Sequence, residues 1–116
     1  ALFVAVRAIY RSTPQGTIKA LFSALRNKDE KGLERLSTPK GLKALRDLQA
    51  HQDKPWLDAW QEWAKQPEIR LHQGIHRYTQ SGVDIFTVMT TNGYHFAFIK
   101  TPEGWKLNSC GSGGNE

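Results

Sequence analysis

Titratable side chains in the second half of the chain are the first candidates for chemistry. His76 and His95 lie on either side of Asp84 in segments whose residue pattern is strand-like. A histidine that is oriented by a carboxylate can act as a general base, so these three residues are the candidate catalytic group. Strand register decides whether their side chains share a face. The simpler interpretation is a solvated Asp84 and two histidines at surface or edge positions.

No metal, cofactor or reactive nucleophile is expected. His72 and His76 are four residues apart, which on a helix would suit one metal ion. The alternation around them is typical of a strand, where they would be roughly 13 Å apart, too far to share a metal. Cys110 is the single cysteine and forms no internal disulfide. Neither Cys110 nor Ser109 has the sequence context of an activated nucleophile.

Aromatic residues form the second group of candidates. Trp56, Trp60 and Trp63 are spaced i, i+4 and i+7, which places them on one face of a predicted helix. The simpler interpretation is that they pack this helix on the sheet, because aromatic side chains bury large areas. A second interpretation, compatible with the first, is a ligand pocket. The candidate ligand-binding residues are Trp56, Trp60, Trp63, Tyr78, Phe86 and Tyr94.

The excess of basic residues lies in the first half of the chain. Residues 1–67 hold 12 basic and 7 acidic side chains, which accounts for the whole net charge of +5. The basic residues concerned are Lys19, Arg26, Lys28, Lys31, Arg35, Lys40, Lys43 and Arg46. Such a face could bind nucleic acid, an anionic membrane or an acidic partner. We expect a solvated helical surface instead, since no basic run is interleaved with aromatic residues.

Residue patterns typical of helices run through the first half of the chain. Thr13 and Pro14 predict a helix start, and an apolar stripe then continues to Leu25. A second helix is predicted from about Asp29, burying Leu33 and Leu36. The remaining helices are predicted from Pro39 to about His51, and from Pro55 until Pro67 ends the helix.

Residue patterns typical of β-strands run through the second half of the chain. The predicted strands are Ile69–His76, Val83–Thr90, Tyr94–Ile99 and Trp105–Asn108. The Asn92-Gly93 pair predicts a hairpin, because both residues tolerate positive φ. Both alternating faces of the middle strands are apolar, so we expect both to be covered. The helices would cover one face, and residues 1–12 or a second copy of the chain the other.

These elements predict one α+β domain over residues 1–116. Residues 13–67 form the helical layer, 68–110 an antiparallel meander and 111–116 a flexible tail. Residues 1–12 contain the apolar run Leu2–Val6, which is either a strand or the remnant of a membrane anchor or signal. The second interpretation favours an extracytoplasmic or membrane-tethered protein.

Residues 13–25 (TPQGTIKALFSAL) and 98–107 (FIKTPEGWKL) resemble the first helix and the last hairpin of small bacterial members of the nuclear-transport-factor-2-like, or cystatin-like, superfamily. The order of elements over residues 13–109 is similar as well. The resemblance implies a curved sheet around a long first helix, a cone-shaped cavity and dimerisation through the sheet. One departure is the helical stretch 38–66, which would partly close the cone or add a flap.

Members of this superfamily include isomerases, cyclases and dehydratases as well as non-catalytic binding domains. No catalytic motif is universal among them, so the resemblance assigns no catalytic role to any residue of this chain. The leading hypothesis is a non-enzymatic binding or accessory domain for a small apolar or amphipathic molecule, or for a protein partner. The alternatives are an isomerase or dehydratase that uses a His-Asp pair, and electrostatic binding by the basic face.

Overall fold

The computed structural model describes residues 13–50, 53–66, 76–91 and 93–112 of the chain. Within these ranges the helices are α1 (Pro14–Arg26), α2 (Glu30–Leu36), α3 (Pro39–Leu48) and α4 (Trp56–Ala64). The strands are β1 (His76–Gln80), β2 (Val83–Met89), β3 (His95–Thr101) and β4 (Gly104–Gly111). The predicted N-terminal segment 1–12, and the predicted strand before His76, lie outside the described residues.

Side-chain caps begin the first three helices. Thr13, Asp29 and Thr38 each accept a hydrogen bond from the backbone N–H three residues further along. Pro14 and Pro39 occupy the first positions of α1 and α3, where a missing N–H costs nothing. The starts predicted from these residue types are confirmed.

The strands form one antiparallel sheet in the order β1-β2-β3-β4. Gly82 and Gly93 have φ values of 78° and 89° in the β1–β2 and β2–β3 connections, a region that favours glycine. Helices therefore come first in the chain, and an antiparallel meander follows them. The predicted α+β fold class is confirmed, whereas the cone shape of the sheet stays a prediction.

Several element ends differ from the sequence prediction. Strand β1 occupies His76–Gln80, whereas the predicted strand ended at His76, because its pairing with β2 continues to Gln80 and Val83. Helix α3 ends at Leu48 because the N–H groups of Gln49 and Ala50 bond to carbonyls only three residues back, which tightens the chain into a turn. Strand β4 continues to Gly111, which pairs with His95. A register shift between Ala97 and Phe98 leaves one extra residue in β4 and allows this pairing. Gly111 therefore belongs to the sheet and not to the predicted tail.

The helices pack on one face of the sheet. This face carries Phe86 and Val88 of β2 and Phe96 and Phe98 of β3, all of them buried. The helices contribute the rest of the core, chiefly Ile18, Leu21, Leu25, Leu33, Leu45, Trp60 and Trp63. None of the described helices is long and apolar enough to cross a membrane.

The opposite face of the sheet is apolar and partly exposed. Tyr78, Ile85 and Ile99 are cross-strand neighbours there, and Tyr78 is 46% exposed. The prediction that both faces of the middle strands are apolar agrees with this arrangement. Coverage of this face by residues 1–12, or by a second copy of the chain, stays a prediction.

Helix α3 is attached to β4 at its first turn. The N–H of Thr38 donates to the carbonyl oxygen of Leu107 at 2.9 Å, and Ser37 forms a parallel bridge with the same residue. Gly41 lies directly against this strand, since a Cβ atom built on it would come within 2.7 Å of the carbonyl carbon of Leu107. The contact fixes the first turn of α3 against β4.

Candidate ligand-binding cleft

The sheet register separates the candidate catalytic residues. His76 and His95 lie on the face away from the helices, whereas Asp84 shares the helix-covered face with Phe86. The Asp84 carboxylate accepts a hydrogen bond from the Thr79 hydroxyl at 2.9 Å. The structure therefore does not form the hypothesised His-Asp pair, because the register places its members on opposite faces.

The surroundings of His95 agree with this separation. Its imidazole lies against Gly111, where an added Cβ would be 2.7 Å from two ring atoms. Among the described residues, no group of three or more His, Cys, Asp or Glu side chains is arranged to hold a metal ion. The His95 imidazole thus packs against Gly111, the last residue of β4.

The six candidate aromatic residues are divided among three places. Tyr78 is exposed on the far face of the sheet, and Phe86 is buried beside Trp105 with a ring separation of 6.4 Å. Trp56 is partly buried and lies 5.5 Å beneath the Arg46 guanidinium. The three remaining residues, Trp60, Trp63 and Tyr94, are in mutual contact. The structure therefore does not bring the six residues together, and their role in ligand binding stays a prediction.

Trp63 is held from several sides by aromatic rings. Its ring centroid is 5.0 Å from that of Tyr94, 5.2 Å from Trp60 and 5.6 Å from Phe22. The contacts with Trp60 and Phe22 are edge-to-face, the arrangement that the charge distribution of aromatic rings favours. These neighbours leave the Trp63 indole little freedom to change its orientation.

A cleft of about 180 Å³ lies next to this cluster. It is formed by the end of α3, the loop before α4, α4 itself and the residue that precedes β3. Its described lining comprises two amides, an ion pair, two aromatic side chains and the methyl group of Ala59. Apart from Ala59, these residues are Gln49, Lys54, Glu62, Trp63, Gln66 and Tyr94.

The indole N–H groups of the two neighbouring tryptophans differ. Trp60 Nε1 donates to the carbonyl oxygen of Leu45 at 2.8 Å. Trp63 is only 5% exposed, and its Nε1 has no hydrogen-bond partner among the described residues. A buried N–H without an acceptor costs about 1–3 kcal/mol, and such groups in native structures call for an explanation. Trp63 lines the cleft, but its Nε1 is itself buried, so an acceptor on a bound molecule would reach it only after neighbouring side chains move.

Charges at the cleft balance one another. Lys54, in the loop before α4, forms an ion pair with Glu62 in the last turns of that helix. Their side chains are 37% and 67% exposed, so the pair lies at the rim of the cleft. Gln49 is by contrast buried, at 3% exposure, and forms part of the inner wall. The cleft is therefore polar but carries no net charge on its described lining.

Sequence reasoning identified Trp63 and Tyr94 but not the polar lining. Ala59, Glu62, Trp63 and Gln66 are spaced i, i+3, i+4 and i+7, so they follow one side of α4 and its end. That spacing was a usable signal for Glu62 and Gln66. No such spacing marks Gln49 or Lys54, because their distance from the α4 residues of the cleft depends on how α3 and α4 pack.

Ion pairs partly neutralise the predicted basic face. The pairs are Lys28–Asp58 at 2.7 Å, Lys43–Asp47 at 2.7 Å and Arg46–Glu30 at 3.6 Å. Exposed pairs of this kind add little stability, but they reduce the positive potential that an anionic partner would meet. Electrostatic binding by this face thus stays a prediction and gains no support from the geometry.

We expect the Cys110 thiol to be unreactive in the folded protein. Burial raises its pKa from 9.0 to about 12, so almost no thiolate is present at neutral pH. A thiol-reactive disulfide reagent should label it slowly in buffer and rapidly in denaturant. Because the folded state holds this proton more tightly, stability should decrease between pH 9 and 12, and Cys110→Ala should flatten that decrease. Rapid labelling in buffer would contradict the burial.

Comparison with known proteins does not identify a function for the cleft. Searches against protein-family models, curated proteins and solved structures find no match. The resemblance to the nuclear-transport-factor-2-like superfamily therefore stays a prediction. A functional conclusion depends on the residues that line the cleft.

Proposed function

We propose that this chain is a non-enzymatic binding domain, and that the cleft beside Trp63 holds a small polar molecule. The observation that carries the proposal is the buried Trp63 Nε1–H, which has no acceptor among the described residues. An acceptor atom on a bound molecule would satisfy this group once the side chains that bury Nε1 move aside. The order of elements, with helices before a four-stranded meander, supports a binding domain of the nuclear-transport-factor-2-like type.

The size and lining of the cleft favour a small polar ligand over the apolar one suggested by the tryptophan stripe. Sites for drug-sized molecules usually have volumes of about 300–1,000 Å³ and mostly apolar walls. This cleft has about 180 Å³, and two amides and an ion pair contribute to its walls. Trp60 and Phe86 are buried in the core, so they are not available to form the wall of an apolar pocket.

The arrangement gives less support to the enzymatic alternative. No histidine belongs to the described lining of the cleft, and Glu62 is already paired with Lys54. The candidate bases His76 and His95 are on the other side of the sheet from Asp84. A binding role requires only the donors and acceptors that are present.

The proposal predicts a specific signal from the Trp63 indole. In the ¹⁵N-labelled 116-residue chain, the four tryptophan side-chain N–H groups give separate resonances, and Trp63→Phe identifies that of Trp63. We expect this resonance to shift saturably with at least one member of a panel of small sugars, amino acids, carboxylates and amides at millimolar concentration. A saturable shift confined to this resonance reports binding next to the Trp63 indole.

A matched variant separates binding at the cleft from general effects. Trp56 is on the same helix but does not line the cleft, so Trp56→Phe should leave the titration unchanged. Trp63→Phe removes that resonance, so its binding is followed by titration calorimetry, and we expect it to be weaker about five- to tenfold, the value of one hydrogen bond of about 1 kcal/mol. A panel in which no compound moves the Trp63 resonance, or in which all four indoles move together, would overturn the proposal.

A further inference from the structure

We propose that the outer face of the sheet, the side away from the helices that carries Ile85 and Ile99, binds residues 2–6 (LFVAV) of the same chain. This inference does not depend on the proposed function of the cleft. It rests on three observations: the uneven burial of the outer face, the place where α1 begins, and the composition of the chain before Thr13.

The outer face is apolar, and its β4 side is more buried than its β1 side. Ile85 and Ile99 in the middle strands are partly buried, and Tyr78 on β1 is 46% exposed. Lys106 on β4 is the cross-strand neighbour of Ile99, and its side chain is only 16% exposed. Its partner Glu103 is 71% exposed, and the described helices pack on the other face, so neither explains this burial. The cover of the outer face is therefore expected on its β4 side.

Helix α1 begins at the same side of the sheet. The Thr17 hydroxyl donates to the carbonyl oxygen of Trp105, the residue before Lys106, at 3.1 Å. The Thr17 N–H bonds to the carbonyl oxygen of Thr13, so Thr13 is one helical turn from this contact. Residues 7–12 can span about 20 Å, whereas β2 lies only about 10 Å from β4. Residues 2–6 are therefore within reach of the middle strands.

The composition of this segment suits the outer face. Leu2–Val6 is a run of five apolar residues, whose contact with Ile85 and Ile99 would remove apolar surface from water. Arg7 and Arg11 follow the run. Glu103 lies at the same corner of the sheet and accepts a hydrogen bond from Lys106 at 2.6 Å. A carboxylate has acceptor sites on both oxygens, so it can bind a guanidinium as well as an ammonium group.

A second copy of the chain is the competing occupant of the outer face. It would bury the same apolar side chains, but it must bind from solution. Residues 2–6 are joined to Thr13 by only six residues, and a short tether of this kind gives an effective concentration in the millimolar range. Their own segment is thus favoured at the micromolar concentrations at which most proteins are studied.

Methyl NOE spectra of the ¹³C-labelled 116-residue chain test the proposal. We expect cross-peaks from the methyl groups of residues 2–6 to those of Ile85 or Ile99. These cross-peaks should be absent from an isotope-filtered spectrum of mixed labelled and unlabelled chains, which shows only contacts between copies. Contacts of Ile85 and Ile99 that appear in the filtered spectrum would identify a second copy as the occupant instead. A lack of any cross-peak from residues 2–6 to the outer face would overturn the proposal.

A pair of variants tests the contact by a second measurement. Val4→Asp places a charge in the apolar run, so the segment should leave the outer face and the fluorescence of a hydrophobic dye should rise about twofold or more. Gln15→Asp, at an exposed position of α1, makes a similar charge change and should leave the fluorescence unaltered. Far-ultraviolet circular dichroism checks that both variants are folded. Equal dye fluorescence of the two folded variants would contradict the contact, whereas the Trp63 resonance should be the same in both.

Discussion

Gly41→Ala is expected to destabilise the protein by about 3 kcal/mol, because the new methyl group would overlap the backbone of β4. The added Cβ would be within 2.7 Å of the Leu107 carbonyl carbon and closer still to its oxygen. Real Cβ atoms do not approach other atoms so closely. The overlap involves main-chain atoms, so a side-chain rotation cannot relieve it.

Movement of α3 away from β4 would break the bonds that attach it. The Thr38 N–H donates to Leu107 at 2.9 Å, and the Thr38 hydroxyl is 2.9 Å from the Asn108 side-chain oxygen. That hydroxyl also accepts the N–H of Gly41 itself, as the helix cap. A displaced first turn therefore loses its cap as well as its contact with the sheet.

Urea denaturation followed by far-ultraviolet circular dichroism measures the effect. Lys40→Ala is the matched control, since this neighbour is exposed and the change should alter the free energy of unfolding by no more than about 0.5 kcal/mol. Gly32→Ala should be intermediate at about 1 kcal/mol, because the atoms nearest to its added Cβ belong to the Asp29 carboxylate, which can move and give up its cap. Equal stability of Gly41→Ala and Lys40→Ala would show that α3 does not touch β4 here.

Local signals were sufficient to predict most elements of this fold. The threonine caps with following prolines begin α1 and α3 at the predicted residues. Gly93 adopts the positive φ expected in the connection between β2 and β3. Such signals act within a few residues, through hydrogen bonds and φ angles that the residue types themselves determine. The α+β class then follows from the order of the elements.

Relations between elements could not be predicted in the same way. A shift of one residue in strand pairing moves every side chain to the other face, so the sequence could not decide whether Asp84 meets His76 or His95. The cleft depends on the approach of Gln49 to Gln66 and Tyr94, which come from different elements. The sequence predicted Trp63 and Tyr94 as binding residues, but not that only one indole N–H in the cluster would lack a partner.

Trp60→Phe is expected to lower the free energy of unfolding by about 2–4 kcal/mol, with contributions from a cavity and from a lost hydrogen bond. Trp60 is fully buried, and its Nε1 donates to the carbonyl oxygen of Leu45 at 2.8 Å. Phenylalanine is smaller than the indole and leaves this carbonyl without its partner. Leu45 is itself buried, so water cannot easily replace the lost donor.

Trp63→Phe is expected to change the free energy of unfolding by no more than about 1 kcal/mol, although the residue is almost as deeply buried. The substitution loses part of the ring contacts with Phe22 and Tyr94, which opposes the gain from removing a buried unpaired N–H. Thermal and urea unfolding of the two variants under identical conditions, without ligand, measure the difference directly.

The difference in stability between Trp60→Phe and Trp63→Phe tests whether the Trp63 N–H is unpaired. This test needs no knowledge of the ligand. If Trp63 Nε1 is unpaired in the free protein, folding gains nothing from it, and Trp60→Phe should be the more destabilising by at least about 1 kcal/mol. The indole then retains a donor that none of the described residues uses. Equal losses from both substitutions would show that the Trp63 N–H already has a partner within the protein, which would remove the observation on which the binding proposal depends.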